Sequence, residues 1–389
     1  MKGRIREYTK EVLSFHMESG RAALPVAAPS PEKLEKYTER CLRIFRGSGA
    51  AKLLFFGLGS GWTMNAVSRH MPSQVPLAAC ELSMDIARLQ LPLLDERWEI
   101  LADMSPWAHL CLLGMEGFTP ENTCLMLNPE LPAGPERTAL QALQRLFAQA
   151  RLQTVLPEDA RVSMSAGCIL SPDEPQLDEY FSQFPGWLME LCIVWDAPEV
   201  PEMDIKCPCP VRQTAHPLDD FASQRNRMKE MCAGQWLLYL DGDECFRPED
   251  WDAVKALVQG TEAHSFLFTR QTLYPDEQHA KIGFGLWPDL QQRLFRNLDS
   301  VRFKRPIHEK LTGLDGPAAI VLNLPIKHYS RIRKSPDQIM EKLSRFDRAA
   351  RQEALHRLNE DYPSLNCPLL VPEQKQEGIR ILLLPANSA

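Results

Sequence analysis

Three things are missing from this 389-residue chain. No apolar run is long enough to span a membrane, which excludes an integral membrane helix. No CxxC pair occurs among the 11 cysteines, so zinc-ribbon and thioredoxin-type motifs are not written in it. The closest pair, Cys207-Pro-Cys209, together with the odd count, reads as reduced, buried thiols of a cytoplasmic protein. An excess of positive charge is also lacking. There are 44 Lys and Arg against 51 Asp and Glu, for a net charge of −7, which argues against general nucleic-acid or membrane-surface binding. A nucleotide ligand stays open, because a metal ion can supply local positive charge. The opening MKGRIREYTKEV carries charge with no hydrophobic segment behind it, so no secretory signal is expected.

What is present is an ordinary globular composition, 44% hydrophobic and 24% charged, in a chain long enough for two or three domains. The most informative stretch is Asp219 to Phe246, which reads as a helix, a glycine stop at Gly234, a buried strand and an acidic cluster. Trp236 to Leu240 is continuously apolar, the pattern of a parallel strand covered on both faces. Asp241, Gly242, Asp243 and Glu244 follow it directly. Three carboxylates in four residues are costly unless a cation meets them. A divalent ion holding a diphosphate is the obvious candidate, since Mg²⁺ typically takes one or two carboxylates plus substrate phosphates. The end of a strand is also where open α/β sheets bind ligands. Asp219 or Asp220 is placed to cap the preceding helix. Phe221, Arg225, Met228 and Cys232 share one face of that helix. Arg225 is therefore held toward the sheet, where it needs an anionic partner: a carboxylate of the domain or a diphosphate.

Residues 1 to 48 read as a polar helical lead-in. Residues 49 to 156 open on a strand, Leu53 to Phe56, then the turn glycines Gly57, Gly59 and Gly61, a helix from Trp62, and a second strand ending in Glu81. This is the start of a Rossmann-like unit. The glycines either admit a nucleotide, with Glu81 on a ribose, or only make the turn. Thr138 to Leu152 is an amphipathic helix closing this domain. A second β-α-β unit begins near residue 160, with strands at Arg161 to Ile169 and Leu188 to Trp195, the latter ending in Asp196.

The N-terminal strand-turn-helix resembles class I methyltransferases and also the Rossmann-like region of bacterial flagellin-glycosylation proteins of the motility-accessory type. Leu127-Asn128-Pro129 approaches the methyltransferase Asn-Pro-Pro-aromatic motif, but Glu130 and Leu131 replace its last two residues. For residues 160 to 335 the resemblance is to glycosyltransferase family 2. DFASQRNRMKEMCAGQWLLYLDGDE carries the helix start, the Ala-Gly before the strand and the Asp-x-Asp after it. Gln292 to Asn297, Val301-Arg302-Phe303, Ile307-His308-Glu309 and Lys327-His328-Tyr329 resemble later segments of that family.

The resemblance implies an α/β GT-A fold built around one mixed sheet, a nucleotide-diphospho-sugar donor, Mg²⁺ or Mn²⁺ and inversion at the anomeric carbon. It implies Asp196, Arg225, Asp241 and Gly167 on the nucleotide-sugar side, and Asp243, Asp241 and His328 toward the metal. One departure stands out. Gly167 to Ser171 and Asp196-Ala197-Pro198 stand where relatives carry a Lys-Asn-Glu and an Asp-x-Gly-Ser-x-Asp. Sugar transfer needs a base for the acceptor hydroxyl. Glu309 is the preferred candidate and Asp289 the second, with Glu244 a further alternative. Phe284 and Trp287, in the loop from Gly283 to Pro288, either stack on an acceptor sugar or belong to a core.

Residues 336 to 389 read as a C-terminal helix that packs on the domain or mediates a homodimer, then a loose tail containing Ile379 to Leu384. The acceptor is a glycan or a protein. Two other readings stay open: a non-catalytic scaffold in a glycosylation system, and a bifunctional protein whose N-terminal domain binds S-adenosylmethionine.

Overall fold

The computed structural model describes residues 3–15, 26–156, 161–305, 309–333, 362–371 and 378–385. These fall into two compact units. One lies within Met1–Leu152, Lys281–Pro288 and residues 361–373; the other lies within Gln153–Ala280, Asp289–Glu360 and Gln374–Ala389. Both units draw on segments that are interleaved along the chain. His308, the segment 157–160 and the expected C-terminal helix from Ser335 lie outside the described residues.

In the first unit, α1 (Arg4–Ser14) and α2 (Pro31–Ser48) precede β1 (Lys52–Phe56), α3 (Trp62–His70), β2 (Leu77–Glu81), α4 (Met84–Gln90), β3 (Trp98–Ala102), α5 (Pro106–Met115), β4 (Thr123–Leu127) and α6 (Pro135–Gln149). α2 starts where the local chemistry dictates. Ser30 caps it, Pro31 takes the first turn, and Gly49 at φ 66° ends it in the left-handed region. The four strands form a parallel sheet in the order β3-β2-β1-β4. Leu53, Phe55, Met64, Val67, Trp98 and Ile100 pack in its core.

The second unit contains β5 (Arg151–Val155), β6 (Met164–Leu170), α7 (Leu177–Ser182), β7 (Glu190–Trp195), β8 (Val211–Ala215), α8 (Phe221–Met231), β9 (Trp236–Tyr239) and β10 (Glu244–Cys245). α9 (Trp251–Leu257), β11 (Ser265–Thr272), β12 (His279–Lys281), β13 (Gln291–Arg296), β14 (Arg302–Lys304), β15 (Lys310–Thr312) and β16 (Ala318–His328) follow. β18 (Ile379–Leu384) completes the second unit, and β17 (Ser364–Asn366) belongs to the first. A ten-stranded mixed sheet runs β5-β18-β16-β11-β13-β9-β6-β7-β8, with β10 pairing to β16. The fold is α/β, with a parallel sheet in one unit and a large mixed sheet in the other.

β9 shows why its sequence is apolar throughout. Trp236, Leu238 and Leu240 pack into one core layer, while Leu237 and Tyr239 pack into the layer on the opposite face. A strand covered on both faces has no polar alternation.

Three expectations change here. Ile379–Leu384 is not a loose tail: it is β18, fully buried and antiparallel to β16. Its pairing partner is too remote in sequence for local pattern to reveal. The helix expected at Thr138 to Leu152 ends at Gln149, and Arg151–Val155 is extended instead. Gly234 is not the stop of α8, which already ends at Met231. A Cβ at Gly234 would stand 2.5 Å from Ser165 N, so glycine is needed for close approach of two backbones.

Candidate active site

Asp241 follows β9 at its carboxyl end, and the strands around it bring charged side chains to that point. Asp220 caps α8, its carboxylate accepting from Ser223 N–H at 2.9 Å. That helix buries Met228 and Arg225 against the sheet. β13 supplies Arg293, β11 supplies Arg270, and β10 contributes Glu244. Gly242 separates the two aspartates because a Cβ there would lie 2.9 Å from both Glu174 and Leu170 side-chain carbons.

These groups form an alternating chain of ion pairs. Glu309 Oε1 meets Arg225 Nε at 2.9 Å, and Arg225 Nη2 meets Asp241 Oδ1 at 3.1 Å. Asp241 Oδ2 meets Arg293 Nη2 at 2.5 Å, and the same nitrogen reaches Glu244 Oε1 at 2.6 Å. Glu244 Oε1 then meets Arg270 Nη1 at 3.0 Å, and Arg270 Nη2 meets Asp289 Oδ2 at 2.7 Å. Four carboxylates thus alternate with three guanidiniums, beginning and ending on a carboxylate. The centre is deeply buried, with the Glu244 side chain 0% and that of Arg293 3% exposed. The Tyr239 ring lies 4.6 Å from the guanidinium carbons of both Arg225 and Arg293, adding a cation–π contact to each.

Burial alone would raise the Asp241 carboxyl, but Arg293 and Arg225 outweigh it and hold the group well below the usual carboxylate range. The reciprocal effect acts on the arginines. Burial would lower both, yet Asp241 carries Arg225 and Arg293 upward.

Asp243 stands beside this chain, with its Oδ1 3.5 Å from His328 Nε2. His328 Nδ1 is 3.0 Å from Thr272 Oγ1, which fixes the ring and turns Nε2 toward Asp243. Register explains the meeting: His328 on β16 lies opposite Glu244 of β10 on one side and Thr272 of β11 on the other. Tyr329 N–H donates to the Asp243 carbonyl at 2.9 Å. Tyr329 also lines a cleft of about 590 Å³ with Glu179, Asp276, Glu277 and Arg333. For a divalent ion the residues divide. Asp241 has both carboxylate oxygens on guanidiniums, and Asp243 Oδ1 lies beside the oriented His328 imidazole. Among the described residues no group of three His, Cys, Asp or Glu forms a metal cage. A divalent ion at the Asp243–His328 pair would need substrate phosphates and water to complete its shell.

Of the residues singled out from sequence, Arg225, Asp241, Glu309 and Asp289 are members of one chain, and Asp243 and His328 form a pair next to it. Asp196 is elsewhere in the bonding: its Oδ1 accepts from Leu218 N–H at 2.8 Å and holds the loop before α8. Gly167 is buried in the middle of β6, where any Cβ would overlap the Met228 sulfur. Its role there is helix-on-strand packing. Trp287 is a core residue, 0% exposed and 5.9 Å from the Tyr8 ring within the first unit. Arg270, Arg293 and Tyr239 were missed. Arg293 falls within the Gln292 to Asn297 segment, and the available signal was an arginine within each of strands β11 and β13.

No family model matches the chain. A TPR repeat-containing protein from Synechococcus elongatus is 33% identical over 91 residues, 23% of this chain. The chain spans only 21% of that protein's length. Among solved structures, S. aureus TarS 1-349 in complex with UDP-GlcNAc has a TM-score of 0.33 and 12% identity, covering 50% of this chain and 68% of that one. The same TarS fragment without that ligand in its description has a TM-score of 0.32 and 12% identity, covering 50% and 67%. These likenesses are too partial and too distant to assign a family.

Proposed function

We propose that the second unit is a metal-dependent glycosyltransferase, moving a sugar from a nucleotide-diphospho-sugar to an acceptor hydroxyl with inversion. The observation that carries this reading is the pairing of Asp243 with His328 at the end of β9, beside a charged chain with carboxylates at both ends. The resemblance of the sequence around Asp241 to glycosyltransferase family 2 supports the same chemistry.

Asp243 and His328 would hold Mg²⁺ or Mn²⁺, which when bound neutralises the leaving diphosphate. Asp241 and Glu244 act differently. Their charge is spent on Arg225, Arg293 and Arg270, so they fix those guanidiniums in place. Glu309, at one end of the chain, is assigned as the base that takes the proton from the acceptor hydroxyl. Asp289, at the other end, is held twice by Arg270 and its second oxygen accepts from Gln291 Nε2 at 2.9 Å. That saturation suits it to orienting Arg270. Arg225 links Glu309 to Asp241, so the base and the carboxyl end of β9 are positioned together.

Asp243→Ala should abolish metal-dependent transfer or donor hydrolysis while leaving the fold intact by circular dichroism. Full metal-responsive activity in that variant would sink the assignment. Glu309→Gln should slow transfer by roughly 10²–10⁴ with donor binding unchanged. A change in donor affinity alone would point to another base. Thermal stabilisation by nucleotide-sugars, with and without Mn²⁺, would identify the donor.

A further inference from the structure

The first unit repeats the strand-turn-helix frame in which open α/β proteins commonly hold a nucleotide, and its acid residues can be followed one by one. The turn after β1 uses Gly57, Gly59 and Gly61 at φ 88°, 60° and 80°, conformations that favour glycine. This aims the first backbone amides of α3 outward from the sheet end, where such amides receive an anion. Here the anion comes from the chain itself. Glu130 Oε2 accepts from Ser60 N–H and from Ser60 Oγ, each at 2.6 Å. Glu130 Oε1 accepts from Thr63 N–H at 2.7 Å.

The remaining parts of the frame are occupied as well. Asn128 Nδ2 donates to the carbonyls of Gly57 and Leu58 at 3.1 and 2.9 Å, and its Oδ1 accepts from Glu130 N–H at 3.0 Å. That arrangement ties the Glu130 backbone to the turn. Leu131 covers Gly57, where a Cβ would stand 2.7 Å from the leucine methyl. Glu81, at the position that would take a ribose, is 2% exposed. Its carboxylate accepts from Leu58 N–H at 3.1 Å and Ser83 N–H at 3.0 Å. Each of the three positions a nucleotide would use thus has an occupant from within the chain.

We infer that Glu130 is a built-in ligand of the first unit, taking the seat of a phosphate or carboxylate, so that this unit is a closed scaffold and not a cofactor-binding domain. This goes beyond the activity proposed for the second unit and is independent of it. On this inference the first unit does not supply the S-adenosylmethionine-dependent activity considered from the sequence.

The test uses the full chain. Calorimetry of the wild-type protein with S-adenosylmethionine, with NAD⁺ and with inorganic phosphate should show no binding to this unit; saturable binding to the wild type that Glu130→Ala abolishes would overturn the inference. Glu130→Ala should lower the Tm of the unit by roughly 3–8 °C, because three donors lose their acceptor. Sodium acetate should restore part of that loss relative to sodium chloride at equal ionic strength, and should leave the wild type unmoved. Equal responses of variant and wild type to acetate would also overturn it. Should Glu130→Ala not fold, Glu130→Gln, which retains one acceptor oxygen, should show a smaller drop in Tm; an unchanged Tm in that variant would count against the seat.

Discussion

The parallel sheet of the first unit, β3-β2-β1-β4, and the parallel part of the second unit's sheet, β8-β7-β6-β9, have the same strand order relative to the chain. In both, the second strand leads to an acid, Glu81 or Asp196, and the fourth leads to a cluster with acids, Asn128 to Glu130 or Asp241 to Glu244. Asp196, like Glu81, is held by a backbone amide, but the acids of the clusters after the fourth strands are treated oppositely. In the first unit they are satisfied by backbone amides of neighbouring turns. In the second, Asp241 and Glu244 are met by guanidiniums brought from α8, β11 and β13. Backbone amides close a site with fixed, local geometry. Arginines from distant elements instead link carboxylates into a chain that ends on Glu309 and Asp289. One topology therefore carries two kinds of carboxylate site, one satisfied by backbone amides and one by arginines, and side chains decide which.

The largest expected structural effect is at the shared guanidinium. Arg293→Met strips Asp241 and Glu244 of a common partner and should destabilise the second unit by about 3–5 kcal/mol in denaturant unfolding. Adding Glu244→Gln to it should recover part of the loss. A cost below about 1 kcal/mol for Arg293→Met alone would show that the buried chain is not held by charge pairing.

The two units should also differ in their response to pH. Burial pushes the Glu81 carboxyl up to about 7 and Asp103 up to about 6. Both folded values lie above the unfolded ones, so the folded unit binds protons more tightly. Stability of the first unit should be full below the ordinary carboxylate range and fall as pH rises toward 7, by about 1–3 kcal/mol. Asp241 is shifted down, so its contribution is present above the ordinary aspartate value and is lost as pH falls through the folded one. Thermal unfolding from pH 4 to 8 should show the decline for the first unit, and Glu81→Gln should flatten it. An unchanged pH profile in that variant would remove Glu81 as the cause.

The smallest effect belongs to an ion pair of the same chemistry at the surface. Arg227 and Asp219 are 2.7 Å apart with side chains 30% and 44% exposed. Arg227→Ala should cost at most about 1 kcal/mol, because water screens the pair. A loss matching that of Arg293→Met would erase the distinction between buried and exposed pairing.

Much of the fold was legible from pattern. The buried strands at Leu53, Leu77, Leu191 and Trp236 are marked by apolar runs bounded by turn residues, and Asp220 caps α8 as a helix start requires. The acidic cluster after β9 was legible for the same reason: three carboxylates at a strand end stand out against an apolar run. Arg270 and Arg293 were not, since the carboxylates that meet them are brought together only by the tertiary fold. Ile379–Leu384 was misread because a short apolar run has no meaning until its partner strand is known. Gly167 was read on the nucleotide-sugar side and Trp287 as either a sugar-stacking or a core residue; in the structure Gly167 lies against Met228 and Trp287 is buried.

By itself, the sequence determined where the chain bends, which strands are covered on both faces, and that carboxylates gather at the end of β9. These follow from local sterics, capping and hydrophobic periodicity. Only the tertiary structure decided which cations meet those carboxylates, that Asp243 faces His328 while Asp241 is committed to arginines, and that Glu130 fills the turn of the first unit. Those outcomes depend on strand register across tens to hundreds of residues, and no local pattern encodes the register.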